Sequence, residues 1–129
     1  MRQSILDALR RDLLTRAAFD TLPEGVWKRT GALNTWGTNA IEGNTLTRAD
    51  VERILLEQKS VGNRPLPDVL ETIQHAAAFA DLLERRKAPI RLATVLGLHE
   101  DVFRGIKADA GLWRRVNVRI AGMKHAPPR

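Results

Sequence analysis

The sequence predicts a mainly α-helical bundle of about five helices that ends in one β-hairpin. Two observations predict the helices. Apolar residues recur at helical spacing through most of the chain, and Pro, Gly and Asn divide it into segments of helix length. The hairpin is predicted because apolar and polar residues alternate after residue 115. With 129 residues, 43% of them apolar, the chain has the size of one domain with one modest core.

The first predicted helix covers residues 3–18. Its larger apolar residues recur three and four positions apart, while charged residues occupy the remaining surface. The expected apolar face consists of Ile5, Leu6, Leu9 and Leu13. This pattern is typical of an amphipathic helix that packs by one side, and no residue in the segment indicates a chemical function.

The second predicted helix covers residues 23–42. Thr21 and Glu24 have the spacing of a capping box, which predicts that the helix begins between them. Gly31 and Gly37 fall inside this helix, where each costs about 0.5–1 kcal/mol relative to Ala. We therefore expect a neighbouring backbone to approach the helix closely at both glycines. The expected inward side consists of Val26, Leu33, Trp36 and Ala40.

Three further helices are predicted at residues 48–58, 67–87 and 91–107. The expected inward faces are Val51, Ile54 and Leu55 in the first, Ile73, Ala76, Ala77, Ala80 and Leu83 in the second, and Leu92, Val95, Leu96, Val102, Phe103 and Ile106 in the third. His99 lies inside the last of these faces. No partner residues with metal-ligand spacing accompany it, so we expect a hydrogen-bonded core histidine.

The predicted hairpin covers residues 116–128. Its first part alternates between apolar and polar residues, a turn follows, and the chain can return as a short second strand before two prolines. Two strands alone leave unpaired backbone groups along an edge, which another segment covers or an extended peptide occupies. The residues expected to form the hairpin and its binding edge are Val116, Asn117, Val118, Arg119, Ile120, Gly122 and His125.

The positive charge of the chain is concentrated in its last third. Residues 1–80 contain ten Lys and Arg and ten Asp and Glu, whereas residues 81–129 contain eleven and five, which accounts for the whole net charge of +6. A basic surface of this kind suits phosphates, nucleic acid or an acidic partner. We favour the simpler interpretation of a solvated basic face, or of one that is compensated by a part of the chain missing here.

Composition also bounds the cellular setting. The chain has no cysteine, which excludes disulfides and thiolate metal sites. It contains no run of about 18 apolar residues and no signal-peptide core near Met1, so we expect a cytoplasmic protein that does not enter the membrane.

The functional prediction depends on residues 38–47. Gly43 and Asn44 predict a helix stop, because these residue types enter the left-handed conformation that a helix end requires. Thr47 predicts the start of the next helix, since its hydroxyl can cap free amides. Glu42 is left on the last turn, where its charge faces the negative end of the helix dipole at a cost of a few tenths to about 1 kcal/mol. A residue placed against its local preference indicates a function.

Residues 38–43, Thr-Asn-Ala-Ile-Glu-Gly, resemble the Ser/Thr-x-x-x-Glu-Gly/Asn motif on the inhibitory helix of autoinhibited members of the Fic (Fic/DOC) family. Over about residues 24–128 the order of elements is also similar to the family's: a short helix, a long helix, a helix with Leu-His, a Gly-x-aromatic-Arg segment, and a hairpin flap that ends in prolines. The last three features correspond to Leu98-His99, Gly111-Leu112-Trp113-Arg114 and residues 116–128.

The family's signature, His-Pro-Phe-x-Asp/Glu-Gly-Asn-Gly-Arg, is absent from this sequence, because His75, His99 and His125 are followed by Ala, Glu and Ala. In the family this motif supplies the general base, the phosphate cradle and the Mg²⁺ ligand for AMP transfer from ATP to a Ser, Thr or Tyr hydroxyl. The resemblance thus implies no catalytic residue, metal site or cofactor in this chain alone. ATP and Mg²⁺ are expected for the complete protein, whose catalytic half would lie beyond residue 129.

The resemblance implies an N-terminal regulatory and target-docking part of a protein adenylyltransferase. Residues 1–60 would carry the inhibitory helix, and residues 61–129 the first helices of a core that is incomplete in this chain. The implied inhibitory motif is Thr38, Glu42, Gly43 and Asn44, and Glu42 would pair with the second arginine of the absent motif and keep the γ-phosphate from its productive place. A protein target would dock on the flap by strand addition.

Two other functions are compatible with the sequence. The first is a non-enzymatic, antitoxin-like module that inhibits a Fic enzyme in trans, which requires only residues up to about 60 and leaves the later helices and the hairpin unexplained. The second is a small basic nucleic-acid binder, whose affinity would fall steeply with salt. No recognised nucleic-acid signature supports it, so we do not expect nucleic acid as a partner. Self-association into a homo-oligomer is a further expectation.

Overall fold

A computed structural model describes residues 2–16, 21–119 and 121–122. These residues form five α-helices: α1, Arg2–Arg16; α2, Glu24–Ile41; α3, Arg48–Leu55; α4, Leu66–Glu84; and α5, Leu92–Phe103. The predicted mainly α-helical fold is therefore confirmed. The predicted starts are accurate to within one residue, whereas α3, α4 and α5 end three or four residues earlier than expected. None of these helices is both long enough and apolar enough to cross a membrane.

α4 is the central helix of the packed region. α2 and α5 both pack against it, and α3 contacts α2 and the α4 helix. α2 and α4 run in opposite directions, because Asn39 of α2 meets Thr72 of α4 and Thr35, one turn earlier, meets His75, one turn later. The end of α2 thus lies beside the start of α4, which places the turn after α2 against the first residues of α4.

α1 contributes no buried residue, since every side chain from residue 3 to residue 16 is exposed. The apolar face predicted for this helix is exposed with the rest. Isolated helices of this length are marginally stable in water, and tertiary packing of an apolar face is what normally stabilises them. The face of α1 is therefore a surface that nothing in the described part of the chain covers.

α2 begins where it was predicted to begin, but its cap differs from the prediction. The residue at the N-cap is Pro23, and no side chain there accepts a capping hydrogen bond. The capping box expected between Thr21 and Glu24 is wrong, because it would require Thr21 at the N-cap. Instead, the backbone N–H of Val26 donates to the Pro23 carbonyl at 2.9 Å, and the fixed φ of proline suits a helix start.

The predicted inward side of α2 is rotated from the true one. Leu33 and Ala40 are exposed, whereas the buried residues are Ala32, Thr35 and Asn39. The physical reason is that α4 faces α2 with a hydroxyl and an imidazole, and these groups pair with the polar residues of α2. The expected inward face of α4 is also wrong, because its buried residues are Thr72 and Ala78.

Gly31 and Gly37 of α2 do not face a close backbone, contrary to the prediction. A Cβ atom at Gly31 would lie 3.7 Å from the ring of Phe79, which is ordinary van der Waals contact with a side chain. A Cβ atom at Gly37 would have nothing within 4 Å. Gly37 therefore destabilises the helix relative to alanine, and nothing in the described residues packs closely enough to require a glycine there.

The buried core is small. In the described residues it consists of four apolar side chains, Ala32, Leu46, Val51 and Ala78, and three polar ones, Thr35, Asn39 and Thr72. Several large apolar side chains of the described residues are exposed, including Leu66, Ile90, Leu92 and Trp113. The helices thus leave apolar surface uncovered.

His99 holds the segment that follows α5. Its Nδ1 accepts a hydrogen bond of 2.9 Å from the backbone N–H of Gly111, and its ring lies 5.1 Å from that of Phe103. The predicted hydrogen bond is confirmed, although the side chain is half-buried instead of lying in the core. Gly111 has φ of +76°, and a Cβ there would lie 2.9 Å from Cβ of Glu100, so the position requires glycine.

The predicted hairpin lies partly outside the described residues. Residues 113–119 contain no strand, and residues 121–122 form a turn in which Gly122 has φ of +80°. Ile120 and residues 123–129, which include His125 and the whole of the expected second strand, lie outside the described part of the chain. Because a hairpin requires both strands, it stays a prediction.

Candidate functional site

The turn between α2 and α3 is closed by backbone hydrogen bonds that fix the position of Glu42. The N–H of Gly43 donates to the carbonyl of Ala40 at 3.2 Å, and the N–H of Asn44 donates to that of Asn39 at 3.0 Å. Together with φ of +90° at Gly43, these bonds form a Schellman motif. The predicted helix stop is confirmed, and Glu42 is the C-cap residue of α2.

Asn44 and Thr45 tie this turn to α4. The side chain of Asn44 accepts from the N–H of Leu46 at 3.0 Å and donates to the Asp68 carbonyl at 3.1 Å and to Glu71 Oε2 at 3.0 Å. The backbone N–H of Thr45 donates to Asp68 Oδ2 at 2.9 Å. Leu46 is buried. The turn is consequently held by hydrogen bonds on one side and by an apolar anchor on the other.

The start of α3 extends the same unit. The N–H of Thr47 donates to Asp50 Oδ2 at 2.9 Å, and the N–H of Asp50 donates to Thr47 Oγ1 at 3.2 Å, so the predicted cap is a complete capping box. Arg64 Nη2 lies 2.6 Å from Asp50 Oδ2. The hydrogen bond from the Thr47 backbone chiefly lowers the pKa of Asp50, and Arg64 lowers it further. The loop before α4 is thereby tied to the α3 start.

The two side chains expected to act from this turn point outward. Thr38 and Glu42 lie one helical turn apart, and both are exposed. In the described part of the chain, neither the Glu42 carboxylate nor the Thr38 hydroxyl has a hydrogen-bond or ion-pair partner. Ile41, between them, is 85% exposed. The end of α2 therefore presents a carboxylate and an apolar side chain from a fixed backbone, with no cation of the described residues to neutralise it.

A polar seam joins α2 to α4 behind this surface; we use the term for Thr35, Asn39, Thr72 and His75. Asn39 Nδ2 donates to Thr72 Oγ1 at 3.2 Å, and the Thr72 hydroxyl donates to the Asp68 carbonyl at 2.9 Å. Thr35 Oγ1 lies 3.0 Å from His75 Nδ1. Thr35, Asn39 and Thr72 are buried and His75 is half-buried.

The seam favours a neutral imidazole at His75. Burial lowers the pKa of His75, and the nearby Glu71 carboxylate opposes this effect only in part. A neutral ring can accept a hydrogen bond from the Thr35 hydroxyl at Nδ1, so both groups have a partner. The seam is thus a set of paired polar groups between two helices.

A groove lies at the other end of α2, distant in sequence from Glu42. It has a volume of about 740 Å³ and runs between α2, the end of α3 and the second half of α4. Its apolar walls include Trp27, Leu55, Phe79 and Leu83. The groove is a further part of the surface that the described helices leave uncovered, and it contains none of the residues of the predicted inhibitory motif.

Metal binding has no support in the described residues, among which no group of three or more His, Asp or Glu side chains could hold an ion. The described flap residues, 116–119 and Gly122, are all exposed. No family model matches this chain.

Sequence reasoning missed the residues of α4 that complete the site. Asp68 and Glu71 hold the turn, and Thr72 and His75 face α2. The signal for them was present, because polar residues recur three and four positions apart along the first half of α4, at the spacing of one helix face. Thr35 and Asn39 repeat the same spacing on α2, which would have indicated two polar stripes that pair.

Proposed function

We propose that this chain is the N-terminal regulatory and target-docking part of a Fic-family protein adenylyltransferase, in which Glu42 is the inhibitory carboxylate. The complete protein would transfer AMP from ATP to a Ser, Thr or Tyr hydroxyl of a protein target. Glu42 would form an ion pair with the arginine that otherwise binds the γ-phosphate. AMP transfer would then be slow until the carboxylate moves away.

The observation that carries this proposal is the setting of Glu42. A Schellman motif and the contacts of Asn44 fix its backbone, yet its carboxylate has no partner in the described part of the chain. It also lies at the negative end of α2, where a negative charge is unfavourable. A carboxylate that is exposed on a fixed backbone, at a helix end that disfavours its charge, is suited to pairing with a cation from another part of the protein.

The amount of uncovered apolar surface supports the same proposal. Large apolar side chains such as Leu66, Ile90 and Leu92 are exposed, and the groove beside α2 and α4 has apolar walls. Further helices of a Fic domain would cover such faces. In this proposal the flap around residues 116–126 pairs with an extended segment of the target through its backbone edge.

The proposal is tested by AMP transfer in the complete enzyme. We expect Glu42→Gly to raise transfer by roughly tenfold or more, because a hydrogen bond to a charged group contributes about 1.5–3 kcal/mol and 1.4 kcal/mol corresponds to a factor of ten. Glu42→Gln, which keeps the shape and removes the charge, should act in the same direction. Transfer of labelled AMP to protein, measured by autoradiography of a gel, checks both variants.

Glu24→Gln is the matched control. Glu24 is exposed on the same helix but pairs with Lys28 in the first turn, far along α2 from Glu42. Its substitution should leave transfer unchanged. Unchanged transfer in Glu42→Gly would overturn the assignment of the inhibitory carboxylate.

The same exposed carboxylate favours one alternative, an inhibitor that acts in trans on a separate Fic enzyme. The intact mass of the protein isolated from its native cells distinguishes the two functions. A mass well above 14.4 kDa supports the regulatory part of a longer enzyme. A mass near 14.4 kDa, together with capture of a Fic enzyme that is lost in Glu42→Gly, supports the inhibitor.

A further inference from the structure

The contact between α2 and α4 has three successive levels. Asn39 lies against Thr72, Thr35 lies against His75, and Gly31 lies against the ring of Phe79. Two of the three levels are polar and buried, and only the third is apolar. A helix contact of this composition gains less from burial of apolar area than an ordinary one, so its polar groups need another explanation.

The small residues of this contact do little to fix how far α2 is displaced along α4. Gly31 and Ala32 have no side chain that could interlock with a neighbour, whereas register is normally set by side chains that fill matching gaps. The polar levels do distinguish registers. A slide of one turn, about 5.4 Å, would bring Thr35 against Phe79 in one direction and Gly31 against His75 in the other.

Each displaced register leaves buried polar groups without partners. A one-turn slide brings Asn39 against His75 in one direction and Thr35 against Thr72 in the other, so one polar contact can re-form. It still leaves Thr35 against the Phe79 ring in the first case and His75 against Gly31 in the second. An unsatisfied buried donor or acceptor costs about 1–3 kcal/mol, which disfavours both displaced registers. In the observed register all four groups of the seam are paired. Buried polar residues are known to specify helix register in this way in coiled coils.

We propose that the polar seam is a register lock that fixes α2 on α4, and that Asn39 and Thr72 are thereby positioning residues for the Glu42 carboxylate. Asn39 lies three residues before Glu42 on the same helix end, and its carbonyl also closes the Schellman motif. A slide of α2 would therefore displace Glu42 by the same distance. The part about Glu42 rests on the proposed function, whereas the part about register does not.

The register is measured by the distance between two spin labels on the 129-residue chain. The sequence contains no cysteine, so Ile41→Cys and Glu84→Cys provide the only attachment points, at the exposed last residues of α2 and α4. We expect one narrow distance distribution in the labelled parent. Asn39→Leu combined with Thr72→Val removes both partners of one level and should shift or broaden the distribution by about 5 Å, one helical turn.

Three further variants separate register from stability. Thr72→Ser keeps the hydroxyl and should preserve the parent distribution. Thr72→Val alone should broaden the distance distribution, and it replaces the double variant as the test if the double variant does not fold. Ala78→Gly alters a buried residue of α4 that does not belong to the seam and should leave the distribution narrow. An unchanged distribution in both seam variants would overturn the register lock.

The positioning of Glu42 is measured by AMP transfer in the complete enzyme with the same substitutions. Asn39→Leu with Thr72→Val should raise transfer severalfold, Thr72→Ser should not, and the double variant should add nothing in a Glu42→Gly background. If Glu42→Gly raises transfer but the seam variants do not, the positioning role is overturned. If the labels report a shift and Glu42→Gly has no effect, the proposed function fails while the register lock stands.

Discussion

The two regions assigned a function by resemblance differ sharply in how they are held. Residues 38–47 are fixed by a Schellman motif, a capping box and side-chain bonds to α4, and they include the buried Leu46. Residues 113–119 are exposed and contain no strand. The first region is held by hydrogen bonds within the chain, and the second is an exposed segment without a strand.

The difference follows from the kind of structure that each segment requires. A helix end is satisfied by groups a few residues away, so local sequence and one neighbouring helix suffice to build it. A strand is satisfied only by another strand. The turn proposed to inhibit therefore has its hydrogen-bond partners within this chain, whereas a strand at residues 116–120 would require a pairing partner.

Among the substitutions that test the difference between the two regions, we expect Asn44→Ala to lower stability the most. Asn44→Ala removes three side-chain hydrogen bonds that link the turn to Leu46, Asp68 and Glu71. Because bonds of this kind contribute about 1 kcal/mol each, and somewhat more to a carboxylate, we expect the free energy of unfolding to fall by about 2–4 kcal/mol. Urea denaturation followed by circular dichroism measures the change.

Asn34→Ala is the control for this variant, since Asn34 is exposed in the middle of α2. Alanine has the higher helix propensity, so the control should be neutral or slightly more stable than the parent. Equal stability of the two variants would mean that the turn is not held by the Asn44 side chain.

A pair of glycine substitutions gives effects of opposite sign. Gly43→Ala should destabilise the chain by about 1–2 kcal/mol, because φ of +90° is unfavourable for any residue with a Cβ. Gly37→Ala should stabilise it by about 0.5–1 kcal/mol, since Gly37 lies inside α2. In both cases a new Cβ would meet nothing within 4 Å, so the backbone alone decides. Thermal unfolding of the two variants, compared with the parent, checks both signs.

Much of this site could be predicted from the sequence, because its parts are local. The helix stop at Gly43 and the cap at Thr47 each depend on residues within one or two turns, and both are confirmed. The capping box predicted at Thr21 is wrong, because the N-cap residue of α2 is Pro23. The Thr21–Glu24 and Thr47–Asp50 patterns look alike in sequence, since each has an acidic residue three positions after a threonine. Only the backbone conformation shows that the second forms a capping box and the first does not.

The inward faces of α2 and α4 could not be predicted from hydrophobicity, because the contact is made by polar side chains that satisfy each other. A search for apolar stripes assigned Leu33 and Ile73 to the inside, and both are exposed. Thr35 and His75 face one another across the contact, and neither has the apolar character that such a search rewards. The pattern of one helix alone therefore does not show which of its polar residues pair with residues of another helix.

The smallest effect is expected in the second region. Val116→Ala should change the free energy of unfolding by less than about 0.5 kcal/mol, as for other exposed residues, because Val116 is 68% exposed and no strand contains it. Urea denaturation of this chain measures that value. In the complete protein with a bound target peptide, the same substitution should weaken binding, since pairing would bury the side chain against the peptide. A loss of more than about 1 kcal/mol in the chain alone would remove the contrast, because it would mean that residues 113–119 already have a packed partner within this chain.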